Sequence, residues 1–65
     1  MKPSWNNAPE WANYLAMNRD GEWYWHMNAP YKIGYCFISF HRHSFAGSGH
    51  GKKWEDTIET RPAEV

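Results

Sequence analysis

Four histidines and one cysteine are the side chains in this sequence that most readily suggest chemistry. His41 and His43 are one residue apart, so their imidazoles would lie on the same side of a strand end and could ligate a metal. Cys36, His26 or His50 could complete a tetrahedral zinc site. The chain has no CxxC or HxxxH pair, so we interpret His41 and His43 as surface histidines. We expect neither a metal nor another cofactor.

A phosphate-binding loop and a cysteine nucleophile are the other two chemistries to consider. Four residues separate Ala46 from Gly51-Lys52, as in the first part of a phosphate-binding loop. Lys53 stands where Ser or Thr would hold magnesium, and 65 residues cannot form the α/β domain that this motif requires. Cys36 lies in the apolar run IGYCFISF, which is typical of a buried, unreactive cysteine. We therefore expect a protein that is not an enzyme.

The remaining chemistry is recognition, because aromatic and basic residues coincide in the middle of the chain. The sequence contains five Trp, four Tyr and three Phe. No acidic residue lies between Trp23 and Trp54, a window that holds all four histidines. Rings and cations together bind single-stranded nucleic acid, whereas aromatic residues alone are favoured at the centre of protein interfaces. The candidate partner-binding residues are Tyr14, Tyr24, His26, Arg42, His43, Phe45, Lys52 and Lys53.

The size of the chain limits how it can be stabilised. We expect one domain over residues 1–65, which would bury only about 60% of its unfolded surface. Cys36 is the only cysteine, so no disulfide can form within the chain. Large aromatic side chains must therefore supply most of the core. Formation of a homodimer is another common way to stabilise a chain with a small core. The lone thiol and the absence of a long apolar run favour a cytoplasmic protein without a membrane partner.

The segment from Asn18 to Glu22 has the chemistry of a three-residue hairpin loop. Asn18 suits the first position of a type I turn, and Gly21 can take the left-handed conformation of the bulge. The loop then places Met17 opposite Trp23 and Leu15 opposite Trp25. A two-residue Asp-Gly loop would put Leu15 and Met17 on the face opposite the two tryptophans. We therefore predict the first register, which forms one coherent apolar face.

The other elements follow from turn residues and from apolar patterns. We expect a helical turn at 8–12 with Asn7 as its N-cap, after a loosely ordered segment at 1–7. A third strand is predicted from Ile33 to about Phe40. The remaining predictions are a glycine-rich loop at 44–53, a strand over WEDTIET with a helix as the alternative, and loosely ordered residues at 62–65. The fold class is mainly β, a small antiparallel meander of three to four strands with a short N-terminal helical turn.

These elements predict which residues form the core and which face of the sheet is exposed. The predicted core consists of Trp11, Leu15, Met17, Trp23, Trp25, Ile33 or Tyr35, Phe37 and Ile58. The opposite face of the first hairpin carries Tyr14, Tyr24 and His26. Together with the segment 41–53, this face is the expected binding surface.

Residues at both ends of the chain resemble a loose group of small uncharacterised proteins of tailed bacteriophages and prophages. The similar features are Ala8-Pro9-Glu10-Trp11-Ala12, Asp20-Gly21-Glu22-Trp23-Tyr24-Trp25, Pro30, Trp54 and Arg61-Pro62. The resemblance implies a phage source and assigns no catalytic or binding residue. We expect a non-enzymatic accessory protein in the bacterial cytoplasm that binds a host or phage protein, which would include inhibition of a host defence enzyme. The alternative is a small module that binds single-stranded nucleic acid by aromatic stacking and a basic loop.

Overall fold

The computed structural model describes residues 2–49 and 53–63 of the chain. Within these residues the protein is mainly β, with antiparallel strands and a helical turn near the N-terminus, so the expected fold class is confirmed. The strands are β1 Tyr14–Met17, β2 Glu22–His26, β3 Tyr31–Ile33, β4 Cys36–Ile38, β5 His43–Ser48 and β6 Glu59–Thr60. Two short 3₁₀ helices are η1, Trp5–Asn7, and η2, Trp54–Asp56. None of the helices in this part of the chain is long and apolar enough to cross a membrane.

The strands form two separate sheets. β5, β2, β1 and β6 form a four-stranded sheet in that order, and β3 pairs with β4 in a two-stranded sheet. β6 pairs with β1 on the side away from β2, so this strand returns to the first hairpin and forms one edge of the larger sheet. The β3–β4 hairpin is therefore an insertion between β2 and β5, which are neighbours in the larger sheet.

The turn between β1 and β2 has the predicted geometry. The amide of Gly21 donates to the carbonyl oxygen of Asn18 over 3.0 Å, and the amide of Asn18 donates to the carbonyl oxygen of Glu22 over 2.9 Å. Gly21 has a φ of 90°, which is the left-handed conformation expected for the bulge. The register pairs Met17 with Trp23 and thereby confirms the predicted face.

Gly21 gives a direct test of this turn. Gly21→Ala is expected to destabilise the protein by about 1–2 kcal/mol, because a β-carbon is strained at positive φ. D-alanine at position 21, introduced by chemical synthesis, adds the same atoms but suits this φ and serves as the matched control. Urea denaturation followed by circular dichroism measures both. An equal decrease in the free energy of unfolding for L-alanine and D-alanine would contradict this explanation. It would show that glycine is needed at position 21 because of steric crowding and not because of backbone conformation.

One face of the four-stranded sheet carries the core. Its buried cluster consists of Trp5, Ala12, Leu15, Met17, Trp23 and Trp25, with Trp11 and Trp54 partly buried against it. The predicted Leu15, Met17, Trp23 and Trp25 are therefore confirmed. The centroid of the Trp5 ring lies 4.9 Å from that of Trp25.

The N-terminal segment is more ordered than predicted. Residues 1–7 were expected to be loose, but η1 forms at 5–7 and Trp5 is buried. The indole Nε1 of Trp5 donates to the carboxylate of Glu59 in β6. The helical turn lies before the expected range 8–12, and its N-cap is Ser4 instead of Asn7. The prediction failed because a buried tryptophan contact across the sheet anchors the segment, and local capping signals do not report such a contact.

The predicted third strand from Ile33 to Phe40 is wrong. The chain turns at Gly34, whose φ is 61°, and continues as β4 antiparallel to β3. Phe37 is buried as predicted, but Ile33, Tyr35 and Ile58 are exposed and do not belong to the core. An apolar pattern on both faces of a run does not distinguish one buried strand from a hairpin whose outer face is exposed.

Two predictions for the C-terminal half are also corrected. The glycine-rich segment 44–53 is not all loop, because β5 includes residues 44–48 and pairs with the open side of β2. A bulge in this pairing, between Trp23 and Tyr24, accommodates the extra residue near Gly47. The strand predicted for WEDTIET forms only at the end of that segment, as β6, whereas its first three residues form η2. Residues 50–52 and 64–65 lie outside the described residues.

Candidate partner-binding surface

The second face of the four-stranded sheet brings together most of the predicted binding residues. Tyr14, Tyr24 and His26 share this face through the pairing of β1 with β2. β5 adds His43 opposite His26 and Phe45 opposite Tyr24. The ring centroids are 6.0 Å apart for His26 and His43 and 5.8 Å apart for Tyr24 and Phe45. We refer to this set of five residues as the aromatic face.

The β3–β4 hairpin covers part of the aromatic face. β4 packs against β1, and the buried ring of Phe37 meets that of Trp54 edge-on at 5.6 Å. At the hairpin tip, the amide of Phe37 donates to Asn18 Oδ1 over 2.8 Å. The amide of Arg19 donates to the carbonyl oxygen of Tyr35 over 3.0 Å. His26 is only 2% exposed in this arrangement, so it cannot contact a partner directly while the hairpin is in place.

A cleft of about 190 Å³ separates the hairpin from the rest of the aromatic face. Its lining consists of Asn18, Tyr24, His26, Cys36, Phe37, Ile38, Ser39 and His43. Cys36 was interpreted as a buried residue, but it is half-buried at the side of this cleft. Its thiol lies 3.6 Å from the carbonyl oxygen of Ile33, across the turn of the hairpin. The position gives Cys36 a hydrogen-bonding role within the hairpin.

His26 is neutral at pH 7 because of its surroundings. Burial, together with the smaller effect of the nearby His43, lowers the pKa of His26 from 6.5 to about 4. Its Nδ1 shares a hydrogen bond of 2.9 Å with Ser39 Oγ. Its Nε2 is buried and has no hydrogen-bond partner among the described residues. His26 therefore acts as an uncharged link between β2 and the end of β4.

The surroundings of Tyr24 also favour its uncharged form. Burial raises the pKa of Tyr24, and the negative charge of Glu22 raises it further. The Tyr24 hydroxyl donates to Glu22 Oε1 over 3.2 Å. This bond directs the phenol towards the β1–β2 turn and leaves the face of its ring beside the cleft.

The outer side of the hairpin carries exposed apolar side chains that the sequence did not indicate. The register pairs Tyr31 with Ile38 and Ile33 with Cys36 on one side, whereas Phe37 lies on the other side and packs inward. The exposed fractions are 62% for Tyr31, 68% for Tyr35 and 79% for Phe40. We define the outer hairpin surface as Tyr31, Ile33, Tyr35, Ile38 and Phe40, of which Ile38 also borders the cleft.

The basic residues do not join these rings in one patch. Four cations each lie over a different ring, namely Arg19 over Tyr35, Lys32 over Trp54, Arg42 over Trp11 and Arg61 over Trp5. The predicted Arg42 thus lies on the core side of the sheet, because Trp11 packs against the core. Lys53 is exposed immediately before η2, and Lys52 lies outside the described residues. The structure brings neither Arg42 nor Lys53 to the aromatic face.

His41 and His43 do not form a metal centre with other side chains of the described part of the chain. No group of three or more potential His, Cys, Asp or Glu ligands occurs in residues 2–49 and 53–63. His43 Nδ1 lies 3.1 Å from the backbone oxygen of His41, and the His43 ring packs beside His26 and Tyr24. His50, a further possible ligand, lies outside the described residues.

Comparison of this chain with protein-family models, with curated proteins and with solved structures found no significant match.

Proposed function

We propose that this chain is a non-enzymatic protein-binding protein whose contact surface is centred on the outer hairpin surface. The observation that carries this proposal is the exposure of Tyr31, Tyr35 and Phe40 in so small a protein. A domain of 65 residues needs large side chains in its core, yet these rings point away from it. Contiguous exposed apolar side chains are typical of interaction sites, and Tyr and Phe are enriched at interface centres.

The arrangement of the rings and of the backbone supports a protein partner. The centroids of Tyr31 and Phe40 are 6.2 Å apart, and Ile33 and Ile38 extend the same apolar surface. Aliphatic side chains pack well against protein but offer no stacking platform for a base. β3 pairs only with β4 in the described residues, so its other edge is open to an extended segment of a partner.

The resemblance to phage proteins supports a partner from a bacterial host or from the phage itself. In this proposal the protein acts in the host cytoplasm as an accessory factor. It would inhibit a host enzyme, including a defence enzyme, by covering part of that enzyme's surface. Neither a cofactor nor a catalytic residue is needed for this mode of action.

Affinity capture with a matched pair of variants tests the proposal. The double variant Tyr31→Ser/Phe40→Ser removes two rings from the outer hairpin surface, and Met27→Ser/Ile58→Ser removes two exposed apolar side chains elsewhere. Immobilised wild-type and variant proteins are incubated with bacterial lysate, and retained proteins are quantified by mass spectrometry. We expect at least a roughly tenfold loss of the retained partner for the hairpin variant, since truncation of an aromatic hot-spot residue at the centre of an interface costs about 2 kcal/mol or more. The control variant should retain the partner.

Retention that is equal for both variants, or retention of no protein by the wild type, would contradict the proposal. Sedimentation equilibrium over a range of concentrations distinguishes a foreign partner from a second copy of the chain. A homodimer that dissociates only in the Tyr31→Ser/Phe40→Ser variant would assign the surface to self-association.

Binding of single-stranded nucleic acid is the second candidate, and one observation favours it. The guanidinium of Arg19 lies 4.4 Å from the centroid of the exposed Tyr35 ring, which could stack on a base beside a phosphate. The dispersal of the other cations argues against an extended site. Fluorescence anisotropy with a labelled oligonucleotide tests this candidate, which requires salt-dependent binding that weakens in Arg19→Gln.

A further inference from the structure

We propose that the β3–β4 hairpin is a hinged flap over the aromatic face and that protonation of His26 releases it. This inference goes beyond the proposed function, because it concerns a conformational change that does not require a partner. The moving part would be residues 31–38, and the chain on either side, at 27–30 and 39–42, would serve as the hinge.

Among the described residues, few hydrogen bonds hold the hairpin to the rest of the molecule. The two backbone amides of Arg19 and Phe37 bond across its tip, and Ser39 bonds to His26 at its base. Within residues 2–49 and 53–63, the hairpin is a two-stranded sheet of its own and shares no strand pairing with the larger sheet. Isolated two-stranded hairpins are at best marginally stable in water. The closed position of this hairpin therefore depends on these bonds, on the packing of Phe37 and on the cation–π contacts of Arg19 with Tyr35 and of Lys32 with Trp54.

His26 is the part of this attachment that responds to acid. Once protonated, both ring nitrogens are donors. Ser39 Oγ can accept from Nδ1, but Nε2 is buried with no acceptor among the described residues. The charge would lie beside the ring of His43 from β5, with Tyr14 from β1 opposite and Cys36 from β4 in the cleft lining. None of the described residues that line the cleft has a carboxylate to compensate for this charge.

Opening relieves this unfavourable charge by admitting water to His26. In the closed form the pKa of His26 is about 4, whereas a solvated histidine has its ordinary value of 6.5. The open form therefore binds the proton more tightly, and acid favours opening between these two values. Linkage gives a roughly 50-fold increase in the opening constant between pH 7 and pH 4.5. Opening would also uncover Phe37 and Ala16, which enlarges the apolar surface.

Amide hydrogen exchange measured by NMR tests the flap. The amides of Arg19 and Phe37 report on the hairpin, because each bonds between the hairpin and the β1–β2 turn. The amide of Asn13, which donates to the carbonyl oxygen of His26, reports on the larger sheet. After correction for intrinsic exchange rates, we expect the two hairpin amides to be less protected than Asn13. Their protection should fall by roughly 50-fold from pH 7 to pH 4.5.

Variants identify the titrating group. His26→Gln should remove this pH dependence, and His41→Gln, which removes an exposed histidine from the neighbouring connection, should retain it. Ser39→Ala keeps His26 and should loosen the hairpin amides already at pH 7. Equal protection of the hairpin amides and Asn13 under all conditions would overturn the flap. Persistence of the pH dependence in His26→Gln would overturn the role of His26.

Discussion

Trp25→Ala is expected to destabilise the protein by about 3–5 kcal/mol, which is typical of removing a buried Trp from a core. Trp25 is buried on the core face, opposite Leu15 and against the ring of Trp5. A chain of this length has a total stability of only about 3–10 kcal/mol. We therefore expect much of the Trp25→Ala protein to be unfolded at 25 °C.

Urea denaturation followed by circular dichroism measures this loss. Phe45→Ala is the matched control, because Phe45 lies on the neighbouring strand β5 but is 55% exposed on the opposite face. It should cost less than about 1 kcal/mol. Trp25→Phe should give an intermediate loss that remains measurable if Trp25→Ala does not fold. Similar losses for Trp25→Ala and Phe45→Ala would contradict the assignment of inside and outside.

Thr57→Val is expected to reduce the free energy of unfolding by about 1–3 kcal/mol, because it leaves the buried amide of Met17 without its hydrogen-bond acceptor. Thr57 Oγ1 accepts from the amide of Met17 over 2.8 Å and lies 2.8 Å from the carbonyl oxygen of Trp54. β6 pairs only with Tyr14 and Leu15 of β1. The Thr57 side chain therefore provides, at Met17, the hydrogen bond that a longer β6 would have made. Valine has nearly the same shape but offers no hydrogen bond.

Thr60→Val is the control for this effect. Thr60 is an exposed residue of β6 that pairs with Tyr14 through its backbone. The same substitution there should change the free energy of unfolding by less than about 0.5 kcal/mol. If Thr57→Val were as stable as Thr60→Val in thermal or urea denaturation, the hydroxyl of Thr57 would not be needed to complete the sheet.

The sequence predicted the first hairpin well because two independent signals agreed. Asn18 and Gly21 specify one turn type, and only that turn places Leu15 and Met17 with Trp23 and Trp25. Both signals are local in sequence, so they do not depend on contacts with the rest of the chain. The core face followed from this register without knowledge of the other strands.

The remaining elements depend on contacts between distant parts of the chain. The pairing of β5 with β2 overrides a glycine-rich composition that is otherwise typical of a loop. The burial of Trp5 depends on Trp25 and Glu59, which lie 20 and 54 residues further along. Neither contact has a local signature, and for this reason the order at 5–7 was not predicted.

The candidate site was predicted only in part for the same reason. Tyr24 and His26 share a face because strand residues alternate, which sequence reasoning can use. The turn at Gly34 was hidden within an apolar run, so the hairpin that buries His26 and exposes Tyr31 was missed. The basic window was recognised in the sequence, but the structure distributes its cations over separate rings.

Photochemically induced dynamic nuclear polarisation tests the central claim most directly, because a dissolved dye polarises only accessible Tyr, Trp and His rings. The central claim is that the tryptophans of β2 form the core while the rings of the β3–β4 hairpin face the solvent. We predict strong polarisation of Tyr31 and Tyr35, and none of Trp23, Trp25 and His26 at pH 7. Polarised Trp23 and Trp25 together with silent Tyr31 and Tyr35 would contradict both the fold and the proposed contact surface.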